Sequence, residues 1–379
     1  MPFFGHSNFK HQQSTKIGIL ITNLGTPERP DKKALRKYLK EFLSDPRVVE
    51  IPKAVWWCIL NGIILNTRPK ASAKLYQEVW TEKGSPLFFH TQAQCESLKH
   101  LIEDKWLDGM SIADSPLVVE FAMRYGKPAI GETIRGMQAQ GVNQLIVLPL
   151  YPQFASSTVG STFDAVSQEL QSLRWLPELR FINNYCDDPG YIAACANAIR
   201  NHWASTDPAE KLVFSFHGIP KQSLDQGDPY FCQCQKTARL ISETLGLEKD
   251  TYIITFQSRF GPAEWLQPYT DKTLIALAQN GVKSIDVFCP GFSSDCLETL
   301  EEIAIQNKRF FIDAGGLDYR YIPALNAQPM HISALAGLIK TKIADWLELS
   351  TTKASLINAG TDRLARYEMA KEKYPEKLY

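Results

Sequence analysis

The sequence has no net charge and no long apolar run. Lys and Arg together number 41, as do Asp and Glu, so the overall charge gives no attraction to nucleic acid. The N-terminal segment lacks the apolar core and small-residue cleavage site of a secretory signal. No run approaches the roughly 18–20 apolar residues that span a bilayer. These absences predict a cytoplasmic protein without a nucleic-acid partner.

The sequence also lacks the patterns of several common functions. Its eight cysteines are scattered, mostly in apolar stretches, which is typical of free thiols in a reducing compartment. Cys232 and Cys234 are too close together for the usual C-x-x-C metal knuckle. No G-x-G-x-x-G follows the first predicted strand, and no Walker or G-x-S-x-G motif is present. A dinucleotide-binding, P-loop or serine-hydrolase function is therefore disfavoured.

The longest apolar segment, AVWWCILNGIIL, begins at Ala54. Its two tryptophans and the flanking Lys53 and Arg68 are typical of a segment that lies in a membrane interface. A buried helix or the lip of a pocket fits this composition equally well. A peripheral contact of residues 54–66 with the inner face of the membrane is one of these alternatives.

The same series of motifs occurs twice along the chain. The matching pairs are ILITNLGTP (19–27) with LVFSFHGIP (212–220), FAMRYGKP (121–128) with FQSRFGP (256–262), AQGVNQLIVLPLYPQFASST (139–158) with AQNGVKSIDVFCPGFSSD (278–295), and 189–196 with 329–336. Each series alternates short β-branched runs with amphipathic stretches, which indicates βαβ units. We predict an α/β protein of two Rossmann-like halves, each a four-stranded parallel sheet flanked by helices, with a cleft between them.

The predicted boundaries follow from this duplication. The first half covers residues 16–205 and the second half covers residues 209–345. Residues 28–90 have no counterpart in the second half and are predicted to be an insertion at the rim of the cleft. Residues 351–379 are polar and charged, and we expect a tail helix or a frayed end.

The candidate chemistry lies where predicted strands end. Ligands bind outside the carboxyl ends of parallel strands, and His217 ends the first strand of the second half. Asp295, Glu298 and Glu302 follow another strand at i, i+3 and i+7, so on an α-helix starting at 293–295 they would share one face. A histidine opposite such carboxylates can bind a divalent metal and move protons. The alternative is a turn-capping histidine and a solvated acidic helix start.

The predicted rim is rich in planar and cationic side chains. The aromatic and strand-end candidates are Tyr76, Trp80, Arg124, Tyr125, Phe260 and Trp265, and the cations on the insertion are Arg29, Arg68 and Lys70. Each one alone fits ordinary packing or a solvated surface. Together they suit a flat, apolar ligand with two carboxylates.

These segments resemble a known family. The motifs that carry the resemblance are NLGTP, RPKASAKLYQEVWTEKGSPL, MRYGKP, FSFHGIP, FQSRFGPAEWLQP and FSSDCLETLEEI. In this order, from about residue 16 to 345, they resemble the landmarks of bacterial, protoporphyrin-type ferrochelatases. The resemblance implies insertion of Fe²⁺ into protoporphyrin IX to give protohaem, the last step of haem biosynthesis.

The resemblance also implies roles for individual residues. His217 would take a pyrrole proton or meet the iron, and Glu298 would be its partner across the cleft. Asp295 and Glu302 would form a carboxylate route for protons or metal. The implied porphyrin-contacting positions are Leu24, Tyr76, Ser85, Arg124, Tyr125 and Trp265.

Three departures from the family pattern limit these implications. Leu24 stands where some relatives carry Tyr or Met, and it cannot ligate iron. Cys296 stands where many relatives carry His, so a second-histidine role is in doubt. No cysteine follows Cys296, so the C-terminal iron–sulfur cluster of some relatives cannot form. Fe²⁺ is then a substrate, no permanent cofactor is expected, and a cluster on Cys186, Cys195, Cys232 and Cys234 is disfavoured.

Other functions remain open at this stage. A chelatase for another metal or tetrapyrrole, such as cobalt and a corrin precursor, is one alternative. A tetrapyrrole-binding protein without turnover is another. A two-lobed solute-binding protein fits the duplication but lacks an export signal.

Overall fold

The computed structural model describes residues 3–5, 15–107, 115–351 and 353–374. Its strands form two sheets of four parallel strands, which confirms the predicted fold class. The first sheet has the order β2-β1-β3-β4, with β1 (Lys16–Gly25), β2 (Leu117–Tyr125), β3 (Val142–Pro149) and β4 (Glu178–Phe181). The second has the order β6-β5-β7-β8, with β5 (Lys211–His217), β6 (Tyr252–Gln257), β7 (Ser284–Phe288) and β8 (Asp318–Ile322).

Helices connect and flank the strands of both halves. Those before β5 are α1 (Lys32–Leu43), α2 (Lys53–Ile59), a π-helical turn (Leu60–Ile64), α3 (Leu65–Val79), α4 (Pro86–Lys105), α5 (Ile130–Ala139), a second π-helical turn (Ser156–Gly160), α6 (Ser161–Ser172) and α7 (Pro189–Thr206). Those after β5 are α8 (Lys221–Asp225), α9 (Tyr230–Leu245), α10 (Thr270–Gln279), a π-helix (Glu298–Asn307), α11 (Lys308–Asp313), α12 (Pro329–Lys342), α13 (Ala344–Thr351) and α14 (Lys353–Lys373).

The duplicated motifs occupy equivalent places in the two sheets. Gly25 and Gly218 hold the same motif position, each beside the neighbouring strand. A Cβ on Gly25, whose φ is +108°, would lie 1.8 Å from the Tyr125 carbonyl oxygen. A Cβ on Gly218 would lie 2.8 Å from the Gln257 carbonyl oxygen. Glycine is therefore required at both positions because the backbones approach closely.

The two halves share one hydrophobic core. The largest cluster joins residues such as Ile19 and Tyr191 of the first half to Phe216 and Ile332 of the second. The duplicated helices α7 and α12 pack against each other in this core. Because burial of apolar surface is the main force for folding, we expect the halves to stabilise each other.

The segment 28–90, named the insertion below, contains α1, α2, the first π-helical turn and α3 between β1 and β2. The predicted polar tail is mostly helical, since it contains the end of α13 and all of α14, while 352 and 375–379 lie outside the described residues. Among the described residues no helix is both long and apolar enough to cross a membrane.

Candidate functional site: two strand edges around His217 and a π-helix

The carboxyl ends of strands from both sheets meet, as the sequence predicts. A Cβ on Gly291, after β7, would lie 3.4 Å from Gln153 Oε1, after β3. Gln94 on α4 also joins the halves: its Nε2 donates to the Ser293 carbonyl at 2.9 Å, and its Oε1 accepts from Ser294 Oγ at 2.9 Å. These contacts bring the loop that precedes the acidic helix against the first half.

His217 is half-buried at the tip of β5. Its Nδ1 lies 2.6 Å from the Gly218 carbonyl oxygen, which can only accept, so Nδ1 carries the proton in this contact. In a neutral imidazole Nε2 then keeps its lone pair for a proton or a metal. The Trp265 ring lies beside this turn, because a Cβ on Gly218 would meet its Cε3 at 3.2 Å.

The acidic segment differs from the predicted α-helix. A π-helix begins at Glu298, and Asp295 lies in the loop before it. Asp295 instead accepts hydrogen bonds from Tyr321 Oη at 2.5 Å and from Asn326 Nδ2 at 2.7 Å. These contacts hold the loop against the second half, so the prediction that all three carboxylates share one helix face is wrong. Glu298 and Glu302 remain together on the wider π-helical turn.

Glu302 interacts electrostatically with both His217 and Glu298. Ser258, with φ of +65° after β6, donates to the Glu302 carboxylate from its backbone N–H at 2.8 Å and from its hydroxyl. Burial raises the pKa of Glu302, the charge of Glu298 raises it further, and Ser258 and the charge of His217 oppose the shift. His217, Glu298 and Glu302 therefore share one electrostatic environment.

Glu298 lies among buried phenols from the first half. Burial raises the pKa values of Tyr38, Tyr76 and Tyr151, and the charge of Glu298 contributes to each shift. The buried thiol of Cys296 interacts with Glu298 in the same way, and its pKa is also raised by burial. These phenols stay protonated at neutral pH, so they can donate hydrogen bonds next to a carboxylate.

Three of the predicted porphyrin-contacting positions lie at the edge of the first sheet. Tyr76 belongs to a buried cluster with Tyr38, and Leu24 and the second half's Leu297 pack against that cluster. Ser85 precedes α4 and is buried, and its Oγ accepts from Thr26 Oγ1 at 2.7 Å. The cluster brings this edge next to the beginning of the π-helix.

Arg124 and Tyr125 belong to a buried polar network whose centre is Asp45 of the insertion. One Asp45 oxygen accepts from Arg124 Nη2 at 2.5 Å, Ser161 Oγ at 2.6 Å and Tyr125 Oη at 2.8 Å. Burial opposes ionisation of Asp45, but the hydrogen bonds from Ser161, the Arg47 backbone and Tyr125, with the Arg124 charge, leave its pKa lowered. The Tyr125 ring is fully buried. No pattern in the sequence signals Asp45, because its partners are distant along the chain.

The other rim candidates divide between the two halves. The Arg68 guanidinium lies 4.0 Å from the ring centroid of Phe260, so the insertion contacts the loop after β6. Trp265 Nε1 donates to the Phe260 carbonyl at 2.9 Å. Trp80 packs edge-on against Tyr76, Arg29 pairs with Asp31, and Lys70 is exposed.

No group of three or more His, Cys, Asp or Glu side chains among the described residues could hold a metal ion. The four cysteines considered for a cluster have different surroundings: Cys232 is exposed, whereas Cys186, Cys195 and Cys234 are buried. Burial raises the pKa of Cys186 to about 11 and that of Cys195 to about 12. Protonated thiols are poor metal ligands.

The two parallel sheets of this protein meet at their carboxyl ends and form a chelatase-type fold. SirB from Bacillus subtilis, solved with Fe3+, aligns with a TM-score of 0.50 and 12% identity over 89% of this chain and 99% of that chain. At this identity the likeness shows the fold.

Comparisons of sequence show the family to which the chain belongs. A ferrochelatase family model matches residues 16–343. The ferrochelatase of Pseudoalteromonas atlantica is 55% identical over 91% of this chain and 94% of its own. Those of Idiomarina loihiensis and Marinobacter nauticus are 55% and 52% identical, over 91% and 95% of this chain and 93% and 96% of their own. The chain belongs to the ferrochelatase family.

Proposed function

We propose that the chain inserts Fe²⁺ into protoporphyrin IX to give protohaem, with His217 accepting pyrrole protons and Glu298 meeting the iron. As a ferrochelatase it is a lyase that acts on a porphyrin and iron in haem biosynthesis. The observation that supports the residue roles best is the free Nε2 of His217 in the electrostatic environment of Glu298 and Glu302.

The chemistry follows from what the substrates need. A planar free-base porphyrin hides its nitrogen lone pairs, and two N–H protons occupy its centre. Binding that bends the ring exposes those lone pairs, so binding energy is converted into distortion towards the transition state. As the iron enters, both N–H protons leave the ring; His217 Nε2 accepts each in turn and passes it to Glu302 or to solvent, and Glu298 replaces water around Fe²⁺.

We assign the proton or metal route to Glu302 and Asp295. Glu302 is adjacent, and its raised pKa favours proton uptake. Asp295 is bound by Tyr321 and Asn326, so its participation requires those contacts to loosen. The proposed porphyrin contacts remain Leu24, Tyr76, Ser85, Arg124, Tyr125 and Trp265, and Trp265 is supported by its position beside the His217 turn.

We propose that no cofactor is bound permanently and that no iron–sulfur cluster forms. The support is chemical: burial raises the pKa values of Cys186, Cys195 and Cys234, and such thiols resist the deprotonation that cluster binding needs.

The test is anaerobic incubation with protoporphyrin and Fe²⁺, followed by absorbance in the Soret and Q bands. We expect metalation by the wild type and a loss of about 100-fold or more in kcat for His217→Ala, the usual range for a general base. Glu298→Gln should lose about 10- to 100-fold.

Matched controls are His100→Ala, an exposed histidine on α4, and Glu301→Gln on the same π-helix. Full turnover in both site variants would overturn the residue roles. Porphyrin binding by the wild type without metalation would instead indicate a tetrapyrrole-binding protein.

We propose a cytoplasmic location with peripheral contact of residues 54–66 with the inner face of the membrane. Val55, Trp57 and Ile63 are 55%, 66% and 58% exposed on the insertion. Such side chains are costly in water and suit a lipid interface.

Sedimentation with anionic vesicles tests the membrane contact. Ile63→Ser should release part of the bound protein and Trp57→Ser with Ile63→Ser most of it, whereas Leu317→Ser, a single exposed aliphatic change at 75% exposure that matches Ile63→Ser, should release none. Equal sedimentation of all three variants would contradict the membrane contact.

A further inference from the structure

Gln94 is a fully buried residue of α4 whose side-chain amide joins the two halves just before the π-helix. Its Nε2 donates to the Ser293 carbonyl at 2.9 Å and to the Asn326 carbonyl at 3.1 Å, and its Oε1 accepts from Ser294 Oγ at 2.9 Å. Both amide hydrogens and the amide oxygen are therefore used in contacts with the second half. A buried polar group that is fully paired in this way holds its neighbours in one arrangement.

Asn326 holds the same loop from within the second half. Its φ is +47°, a left-handed conformation that Asn adopts more readily than most residues, and its backbone N–H donates to the Ser293 carbonyl at 3.0 Å. Its side chain accepts from the Asp295 backbone N–H at 2.8 Å and donates to the Asp295 carboxylate at 2.7 Å. Gln94 and Asn326 thus fix residues 293–295 to both halves at once.

This fixed loop ends three residues before Glu298. Leu297 packs on the buried tyrosine cluster of the first half. Further along the π-helix, the Ile303 carbonyl accepts from Tyr319 Oη at 2.6 Å, a contact within the second half. The beginning of the π-helix is therefore joined to the first half, whereas His217 belongs to the second. The gap between His217 and Glu298 then depends on how the first half holds this loop.

We propose that Gln94 is a positioning residue that sets where the Glu298 carboxylate lies relative to His217 Nε2. It acts through the loop 293–295 and its contact with Asn326, and not by contact with a substrate. A displacement of about 1 Å that arises away from the reacting atoms can cost on the order of 100-fold in rate. This inference rests on the proposed role of Glu298.

The sharpest test is Gln94→Glu, which keeps the shape of the side chain and makes its donor depend on pH. When protonated, the introduced carboxyl can accept from Ser294 and donate to one of the two carbonyls. When ionised, it has no donor and faces the carbonyl oxygens of Ser293 and Asn326. Burial and these oxygens raise the pKa of the introduced carboxyl, so the donor is present at low pH and lost as the pH rises.

We therefore expect kcat for iron insertion by Gln94→Glu, divided by that of the wild type at the same pH, to fall about 10- to 100-fold from about pH 6 to about pH 8.5. The Kd for protoporphyrin, measured by fluorescence, should stay within about two-fold of the wild type, and a return to the lower pH should restore turnover. Gln94→Met, which has similar length and no donor, should be impaired to the same degree at both pH values. It should add nothing further in a Glu298→Gln background.

The matched control is Gln138→Glu. Gln138 is also buried on a helix, and its Nε2 donates to the Trp175 carbonyl at 2.8 Å within the first half. The introduced carboxyl should lower unfolding stability as the pH rises, as at position 94, but the folded protein should keep wild-type kinetics. If Gln94→Glu does not fold at the higher pH, Gln94→Met decides the question, through a lowered kcat with an unchanged Kd for protoporphyrin.

The outcomes separate the two proposals. Wild-type kinetics of Glu298→Gln would overturn the proposed role of that residue. Impaired Glu298→Gln together with wild-type Gln94→Met, or with a kcat ratio for Gln94→Glu that does not change with pH, would overturn this inference alone. The same pH-dependent loss of kcat in Gln138→Glu, or a parallel loss of protoporphyrin affinity in the Gln94 variants, would show a general structural role and would also overturn it.

Discussion

The two copies of the Arg–aromatic–Gly motif have the same place in their sheets and different partners. In the first half, Arg124 and Tyr125 bind the buried carboxylate of Asp45. In the second half, Arg259 pairs with Asp271 of its own half at 2.8 Å, and both side chains are partly exposed. Phe260 is 39% exposed and lies under Arg68. The insertion therefore touches both copies, once through a buried network and once through an exposed ring.

The two contacts of the insertion differ in strength. The contact with the first copy combines a buried ion pair with two neutral donors, Ser161 and Tyr125, and loss of one partner of such a pair is strongly destabilising. The contact with the second copy is one exposed cation–π pair, which contributes about 0.5–1 kcal/mol. We infer that the insertion is fixed at the first copy of the motif and can separate from the second copy.

The largest expected effect is a loss of unfolding free energy when the Asp45 network of the first copy is broken. Asp45→Ala leaves Arg124 without its buried partner and should lower the free energy of unfolding by about 3–5 kcal/mol. The equivalent change in the second half, Asp271→Ala, removes a partner at the surface and should cost about 0–1 kcal/mol. Urea unfolding with unchanged m-values measures both. Equal losses in the two variants would remove the distinction between the copies.

The sequence predicted the duplication, the two parallel sheets and the strand tips because these depend on local patterns of apolar residues and turns. It placed His217 at a strand end, as observed. It did not predict the π-helix, because the position of Asp295 depends on Tyr321 and Asn326 of a later segment. Asp45 was missed for the same reason: its significance lies in contacts between distant segments.

A second comparison concerns α7 and α12, where Tyr191 and His331 hold equivalent motif positions. Their rings lie 6.4 Å apart in the shared core. Burial lowers the pKa of His331 to about 4, although its hydrogen bond with the Asn326 carbonyl opposes the shift, whereas burial raises that of Tyr191. In the folded protein His331 therefore stays neutral at pH values where an exposed histidine binds a proton.

The lowered pKa of His331 predicts that the folded protein loses stability as the pH falls. As pH falls below the usual histidine pKa of about 6.5, the unfolded chain gains a proton at position 331 that the folded chain refuses. Stability should therefore fall by about 2 kcal/mol between about pH 7.5 and pH 5, and the loss should level off below the folded pKa. His331→Gln keeps a donor for Asn326 and should flatten this slope. His100→Gln, an exposed control, should not, and an unchanged slope in His331→Gln would contradict the assignment.

The smallest expected effect tests the exposed contact of the second copy. Phe260→Leu removes the ring under Arg68, so the contact between the insertion and the loop after β6 should weaken by about 0.5–1 kcal/mol, or about two- to five-fold in its equilibrium constant. Because the first-half network is intact, unfolding stability should fall by no more than about 1 kcal/mol. Protoporphyrin should dissociate about two- to five-fold faster in stopped-flow fluorescence.

The matched control is Phe163→Leu in the first half, where the ring is similarly exposed at 44%. It packs on Phe181 and does not contact the insertion through a cation. If both variants release porphyrin at the wild-type rate, separation of the insertion from the second copy does not limit release. If Phe260→Leu is also as destabilised as Asp45→Ala, the two copies hold the insertion equally firmly, because a weak exposed pair cannot account for a loss of that size.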